Sequence, residues 1–261
     1  MTTLTPAPGT TLAQHRLPDA PVRPQRFSRL LTVELRKMVD TRSGVAVLGV
    51  TFLLVIGILG WLVVRDGSSS WMRFSGVMQF AGMLIPVIGL LGITSEWSQR
   101  TALTTFTLSP RRGRVLLAKF VASVALAMAV FVVVIGLAVA AVYIDAMISG
   151  GTADMTGFGD SLRSMAILTV LQVTMALGFG ALVAQTAVAV VTYFMAPTVV
   201  LILSDQLLGE NAKWLNVFQT YDRLSSGNPW VDLGPTVVSV LLWVVLPITA
   251  GVVRSMRREV K

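Results

Sequence analysis

No cysteine occurs in the sequence. Disulfides, thiolate nucleophiles, iron–sulfur clusters and Cys-based zinc sites are therefore excluded. The single histidine, His15, sits in a polar, proline-containing N-terminal stretch, so no histidine on an apolar span can ligate haem or act as a base. Charge is scarce as well. Only 13% of the residues are charged, against 54% hydrophobic, where soluble domains carry about a quarter. The charges are also clustered, leaving long runs with none. The solvent around much of this chain is lipid.

The net charge of +8 raises the question of nucleic acid. The basic residues lie beside apolar spans, where they act as topology signals, and nucleic acid is not an expected partner. Residues 1–24 carry Pro6, Pro8, Pro18, Pro21 and Pro24 among Thr and Ala and read as a disordered tail. No apolar core follows a basic start, so the tail does not match a secretory leader.

Residues 26–42, RFSRLLTVELRKMVDTR, set Phe27, Leu30, Leu31, Leu35 and Met38 at i, i+3, i+4 spacing, with Arg26, Arg29, Arg36 and Lys37 largely on the other faces. The spacing predicts an amphipathic helix lying in the headgroup layer. A generic juxtamembrane basic segment is the plainer alternative. Six apolar spans follow, at about 44–64, 74–94, 115–143, 164–184, 187–204 and 235–253. The expected fold is all-α and polytopic, with residues 25–261 as one transmembrane domain. The fourth and fifth spans meet at Gln185 and Thr186, which reads as a tight hairpin turn or as the tip of a re-entrant pair.

Lys and Arg set the orientation. With the N-terminus in the cytoplasm, that side receives Arg16, Arg23, Arg26, Arg29, Arg36, Lys37 and Arg42, then Arg100, Arg111, Arg112, Arg114 and Lys119, then Arg254, Arg257, Arg258 and Lys261. Only Arg65, Arg73, Arg163, Lys213 and Arg223 fall outside. Both termini are thus expected in the cytoplasm of a multi-pass cell-membrane protein. Outside, residues 145–163 form a Gly-rich loop. In residues 205–233, Trp214, Val217, Phe218, Tyr221 and Leu224 share one helical face, which predicts a short extracellular amphipathic helix before the last span. An aromatic belt anchor fits the same residues.

No catalytic constellation is present. The chain lacks a G-x-x-x-x-G-K-[ST] loop, a G-x-S-x-G elbow and an H-E-x-x-H helix, so it is not expected to be an enzyme or to bind a cofactor or metal. The spans hold almost no ionisable groups: Lys119 lies near the start of the third and is expected to snorkel, and Asp205 ends the fifth. Proton- or sodium-coupled carriers need carboxylates near the midplane, which argues against secondary transport. Pro86, Pro197 and Pro247 interrupt helical hydrogen bonding and are candidate hinges. Gly136 with Ala140 and Gly180 with Ala184 are small-residue pairs suited to close helix contact.

The most informative stretch is residues 95–123, SEWSQRTALTTFTLSPRRGRVLLAKFVAS. Glu96 follows a span, and Leu103, Phe106 and Thr107 lie at helical spacing. Pro110 then breaks the helix, and Arg111, Arg112 and Arg114 lead into the next span. A short helix held at the membrane surface by two spans is well placed to exchange force with a soluble partner. A loop that merely fixes topology is the bland alternative.

This stretch resembles the permease subunits of ABC type-2 exporters, in particular the short six-span half-transporter permeases common in actinobacteria. The elements that match are Glu96, Arg100-Thr101, Thr104 to Leu108, Pro110-Arg111-Arg112 and Arg114 to Lys119. Arg100 stands where many members have Gly. The opening RLLTVELRKMVDTRSG looks like the family's interfacial elbow helix, with Phe27, Leu31, Glu34, Leu35, Arg36 and Lys37 in place. The resemblance implies a permease that pairs with a second permease copy, identical or not, and binds two copies of a separate ATPase, which holds ATP and Mg. It implies that Glu96, Arg100, Thr101, Leu103, Phe106, Arg111 and Arg112 couple to that ATPase, together with the elbow.

Two other classes remain. A non-transporting membrane scaffold or immunity protein fits the lack of an intramembrane polar path. A lipid-modifying intramembrane enzyme would need convergent polar residues, for which only scattered Thr, Ser and Gln79, Gln172 and Gln185 are at hand.

Overall fold

The computed structural model describes residues 26–65, 67–98, 112–225 and 232–257. Apolar composition without strand alternation produces helices almost throughout, and among the described residues the only β pairing is an isolated bridge between Ser70 and Asp154. The chain is an all-α polytopic membrane protein. Helix α1 (Phe27–Asp40) is the elbow, and α2 (Arg42–Val64) is the first span. A short α3 (Trp71–Ser75) leads through Gly76 into α4 (Val77–Ser98). Next come α5 (Arg112–Ser149), α6 (Phe158–Val183) and α7 (Thr186–Leu208). A 3₁₀ turn (Gly209–Trp214) precedes α8 (Val217–Ser225). The last span is α9 (Leu233–Val240), a π-helical turn (Leu241–Val245) and α10 (Leu246–Arg257). Among the described residues, six helical stretches are long and apolar enough to cross a membrane.

Several helices outrun their apolar runs. At 38 residues, α5 is about 57 Å long, well beyond the ~30 Å hydrocarbon layer. Its last turns continue past the expected limit because Asp145 is not a helix-ending solvated charge. It is buried, accepting from Ser69 Oγ at 2.8 Å and facing Arg73 Nη1 at 3.5 Å. The loop around Ser70 is further tied to the α5–α6 loop: Trp71 N–H donates to Asp154 O (2.7 Å) and Asp154 N–H to Ser69 O (2.9 Å). Trp71 is fully buried and meets the Phe158 ring edge-on at 4.9 Å.

At the other end of the bundle, α6 and α7 are separate helices of 26 and 23 residues, each long enough to cross a membrane. Ala184 takes the left-handed conformation (φ 56°) and donates to Gly180 O at 2.9 Å, which terminates α6, while Gln185 is extended. Thr186 Oγ1 hydrogen-bonds Thr94 Oγ1 at 3.0 Å, pinning this turn to α4.

The central helix is α6, buried from Met175 to Ala181. Its closest neighbour is α10. A Cβ on Gly178 would lie 2.8 Å from Ile248 N, and one on Gly251 2.7 Å from Ala181 Cβ. Small residues let these backbones approach, as expected where lipid supplies no hydrophobic drive between helices. Pro247 lies within this contact, and the π turn just before it widens the helix where proline offers no N–H. Gly180 faces Ile93 and Thr94 of α4, and its partner of the expected pair, Ala184, is the helix cap. Gly136 and Ala140 are exposed, and nothing lies within 4 Å of a Cβ on Gly136.

The short amphipathic helix expected before the last span is present as α8, but it begins at Val217 rather than taking in Trp214. Asn216 Oδ1 accepts from Phe218 N (2.9 Å) and Gln219 N (3.2 Å), starting α8 at Val217 and leaving Trp214 in the 3₁₀ turn. An Asn able to cap its own following turn outcompetes helix continuity. Trp243 Nε1 donates to Leu215 O at 2.7 Å and holds the break against the last span.

Candidate functional site

Two features combine buried polar groups with defined geometry. The first is the seat of the elbow helix. At about 100° per residue, Phe27, Leu31, Glu34 and Met38 share one face of α1, so Glu34 stands in the middle of the apolar stripe. That face is turned to the bundle, and Glu34 and Met38 are buried. Lys119 of α5, expected to snorkel, is instead 2% exposed and donates to Glu34 Oε2 at 2.6 Å. It cannot reach water because α1 covers it. Lys37 Nζ meets Glu34 Oε1 at 3.0 Å, so one carboxylate serves two ammonium groups. Lys119 Nζ also lies 3.4 Å from Gly92 O of α4.

Packing beside the ion pair is tight. Ser123 Oγ donates to Met38 Sδ at 3.8 Å, and a Cβ on Gly92 would stand 2.7 Å from Met38 Cε. A carboxylate and an ammonium removed from water are tolerable only when paired this closely and hydrogen-bonded further. The elbow is thus keyed to α4 and α5 rather than merely laid on a membrane surface.

Of the other elbow residues, Phe27, Leu31, Leu35 and Lys37 are half-buried and Arg36 is exposed. Arg100, Thr101, Leu103, Phe106 and Arg111 lie outside the described residues. Glu96 belongs to the last turns of α4 and Arg112 opens α5. Pro86, Pro197 and Pro247 are each buried within continuous helical spans.

The second feature is a pair of adjoining cavities toward the opposite end. One, of about 530 Å³, lies mainly among α4, α6 and α8 and is mixed, with Asp160, Asp222, Gln79, Ser161, Thr169 and Gln172 on its walls beside apolar side chains such as Ile85, Phe131 and Leu168. The other, of about 310 Å³, is apolar, walled by Met175, Tyr193, Phe194, Pro197, Phe218 and Tyr221 among others. Gly82 and Gln172 line both. A Cβ on Gly82 would lie 3.5 Å from Gln172 Oε1, in ordinary van der Waals contact with this amide. Gln79 and Gln172, scattered in the sequence, are brought onto one wall, whereas Gln185 is exposed in the α6–α7 turn.

Among the described residues no group of three His, Asp or Glu side chains is arranged to hold a metal ion. Comparison with protein-family models and with curated proteins gives no match.

Proposed function

We propose that the chain is the membrane permease of an ATP-driven exporter, with both termini in the cytoplasm of the cell membrane. It works as a dimer of permeases, and two copies of a separate ATPase bind ATP and Mg. The observation that carries this reading is the keyed elbow. Glu34 on α1 is bonded at 2.6 Å to Lys119, two turns into the helix that leaves the 99–111 segment. A push on either the elbow or that segment is therefore delivered to the same transmembrane lever, α5. The basic residues beside the termini support the cytoplasmic placement, and the Glu96 to Lys119 pattern supports the exporter class.

The experiment is co-expression with the ATPase encoded in a neighbouring reading frame. The expected results are co-isolation, ATPase activity that depends on this chain, and loss of that dependence when Leu103 and Phe106 are both replaced by Ala in a chain that still inserts. A chain that never co-isolates with an ATPase overturns the reading and leaves the membrane scaffold in its place.

A further inference from the structure

We infer that the paired cavities form one binding site for a cationic amphiphile: a molecule with an amine or quaternary ammonium head and an apolar tail of roughly a dozen carbons. The inference deepens the export reading, on which the ligand's standing as cargo rests.

The site is graded in polarity along its length. Asp160 and Asp222 stand at the polar end and are exposed, so the mouth is negative. Neither a Lys nor an Arg lines either cavity. Two of the basic side chains nearby are engaged with other groups. Arg223 donates to Lys213 O and Thr220 Oγ1, and Lys213 pairs with Asp232 at 3.2 Å. Arg163 touches Asp160 only at 3.7 Å, with both side chains largely in solvent, where such a pair is weak. A cation is therefore attracted at the mouth and an anion repelled.

Deeper in, charge gives way to neutral polar groups. Gln172 lies twelve residues beyond Asp160 on α6, about 18 Å along the helix. It sits within a span, and its amide has no hydrogen-bond partner among the described residues. An amide at membrane depth without a protein partner is costly unless water or a ligand meets it. Past Gln172 the wall turns to Met175, Tyr193, Phe194 and Pro197, with no charge at all. A mixed chamber that holds both carboxylates, then an amide, then a chamber of thioether and aromatic walls without charge form the complement of a head, a linker and a tail. Methionine and aromatic walls also adapt to tails of differing shape.

The test uses the full chain in nanodiscs of zwitterionic lipid, without an ATPase. The probes are a dansyl-tagged dodecyl quaternary ammonium, its butyl analogue, and a dansyl-tagged dodecanol. Saturable binding above empty nanodiscs is expected for the dodecyl ammonium, at least about tenfold tighter than for the butyl analogue or the alcohol. Asp160→Asn with Asp222→Asn, both at exposed positions that leave the fold intact, should weaken the ammonium about tenfold and leave the alcohol unchanged. Gln172→Leu should weaken the ammonium while the alcohol binds as well or better.

Equal binding of ammonium and alcohol, or an affinity untouched by the double substitution, overturns the inference. So does the absence of saturable binding. That last result leaves the exporter reading standing, because co-isolation of an ATPase is measured separately.

Discussion

The Lys119 ammonium stands 2.6 Å from the Glu34 carboxylate, across 85 residues of sequence, with both side chains at most 4% exposed. Removing one member takes away the other's closest counter-charge while Glu34 keeps Lys37 and Lys119 keeps the Gly92 carbonyl, and costs about 1.5–3 kcal/mol, as for hydrogen bonds to a charged group. Glu34→Gln and Lys119→Met are each expected to lower the thermal unfolding midpoint in detergent. The double variant should cost clearly less than the two single costs combined, because the interaction between the two groups is lost only once. Strict additivity would show that the two groups are not coupled.

Helix contact around α6 makes a contrast between glycines. A Cβ on Gly251 would lie 2.9 Å from Gly178 O and from Leu182 N, backbone atoms that cannot swing aside. Gly251→Val is expected to destabilise the chain by about 1–3 kcal/mol. Gly136 has open space where its Cβ would be, and Ala is the better helix former by about 1 kcal/mol. Gly136→Ala should therefore leave the unfolding midpoint unchanged or slightly raised. Equal damage from both substitutions would mean that α6 and α10 are not in the contact described.

How far the sequence could be read divides along the same physical lines. Apolar runs of membrane length revealed six helices because a lipid-exposed backbone has no alternative to helix. Their ends were less legible, since Asp145 looks like a solvated loop charge yet falls within α5 through Ser69 and Arg73, contacts distant in sequence. The elbow is visible as an amphipathic pattern, but the burial of Glu34 is not. Its position between Leu31 and Met38 on the apolar stripe was the available signal, and Lys119 in the third span was the matching one. The break at Asn216 was hidden in an otherwise regular helical spacing. No pattern announces the cavities, because they arise from Gln79, Gly82, Gln172 and Asp222 meeting across three helices.

Asp154 gives the bundle a pH dependence of known sign. The Thr156 hydroxyl and backbone N–H both donate to its carboxylate and hold its pKa below the ordinary value of 3.8. A carboxyl depressed in the folded state adds stability above its unfolded pKa and loses it as pH falls through the folded value. The unfolding midpoint of the protein should exceed that of Asp154→Asn at pH 6, and the gap should close as pH drops below about 3.8. A gap that stays constant from pH 6 to pH 3 would assign the difference to something other than ionisation.

Arg73 fastens the opposite end of the bundle from the elbow. Its guanidinium donates to the carbonyls of Leu62 and Arg65, capping α2, and faces Asp145 at 3.5 Å. Asp145 keeps Ser69 Oγ as its other hydrogen-bond donor among the described residues. The planar fork reaches acceptors on two sides at once, which a single ammonium cannot reproduce. Arg73→Lys should therefore behave much like Arg73→Ala, each losing about 1.5–3 kcal/mol, as expected for hydrogen bonds to a charged group. Hydrogen exchange locates the damage. The amides of Arg65, Trp71 and Asp154 should exchange faster, while those around Met38 and Lys119, at the far end of α5, keep their protection. Uniformly faster exchange along the chain would mean that Arg73 supports the whole bundle rather than clamping one end.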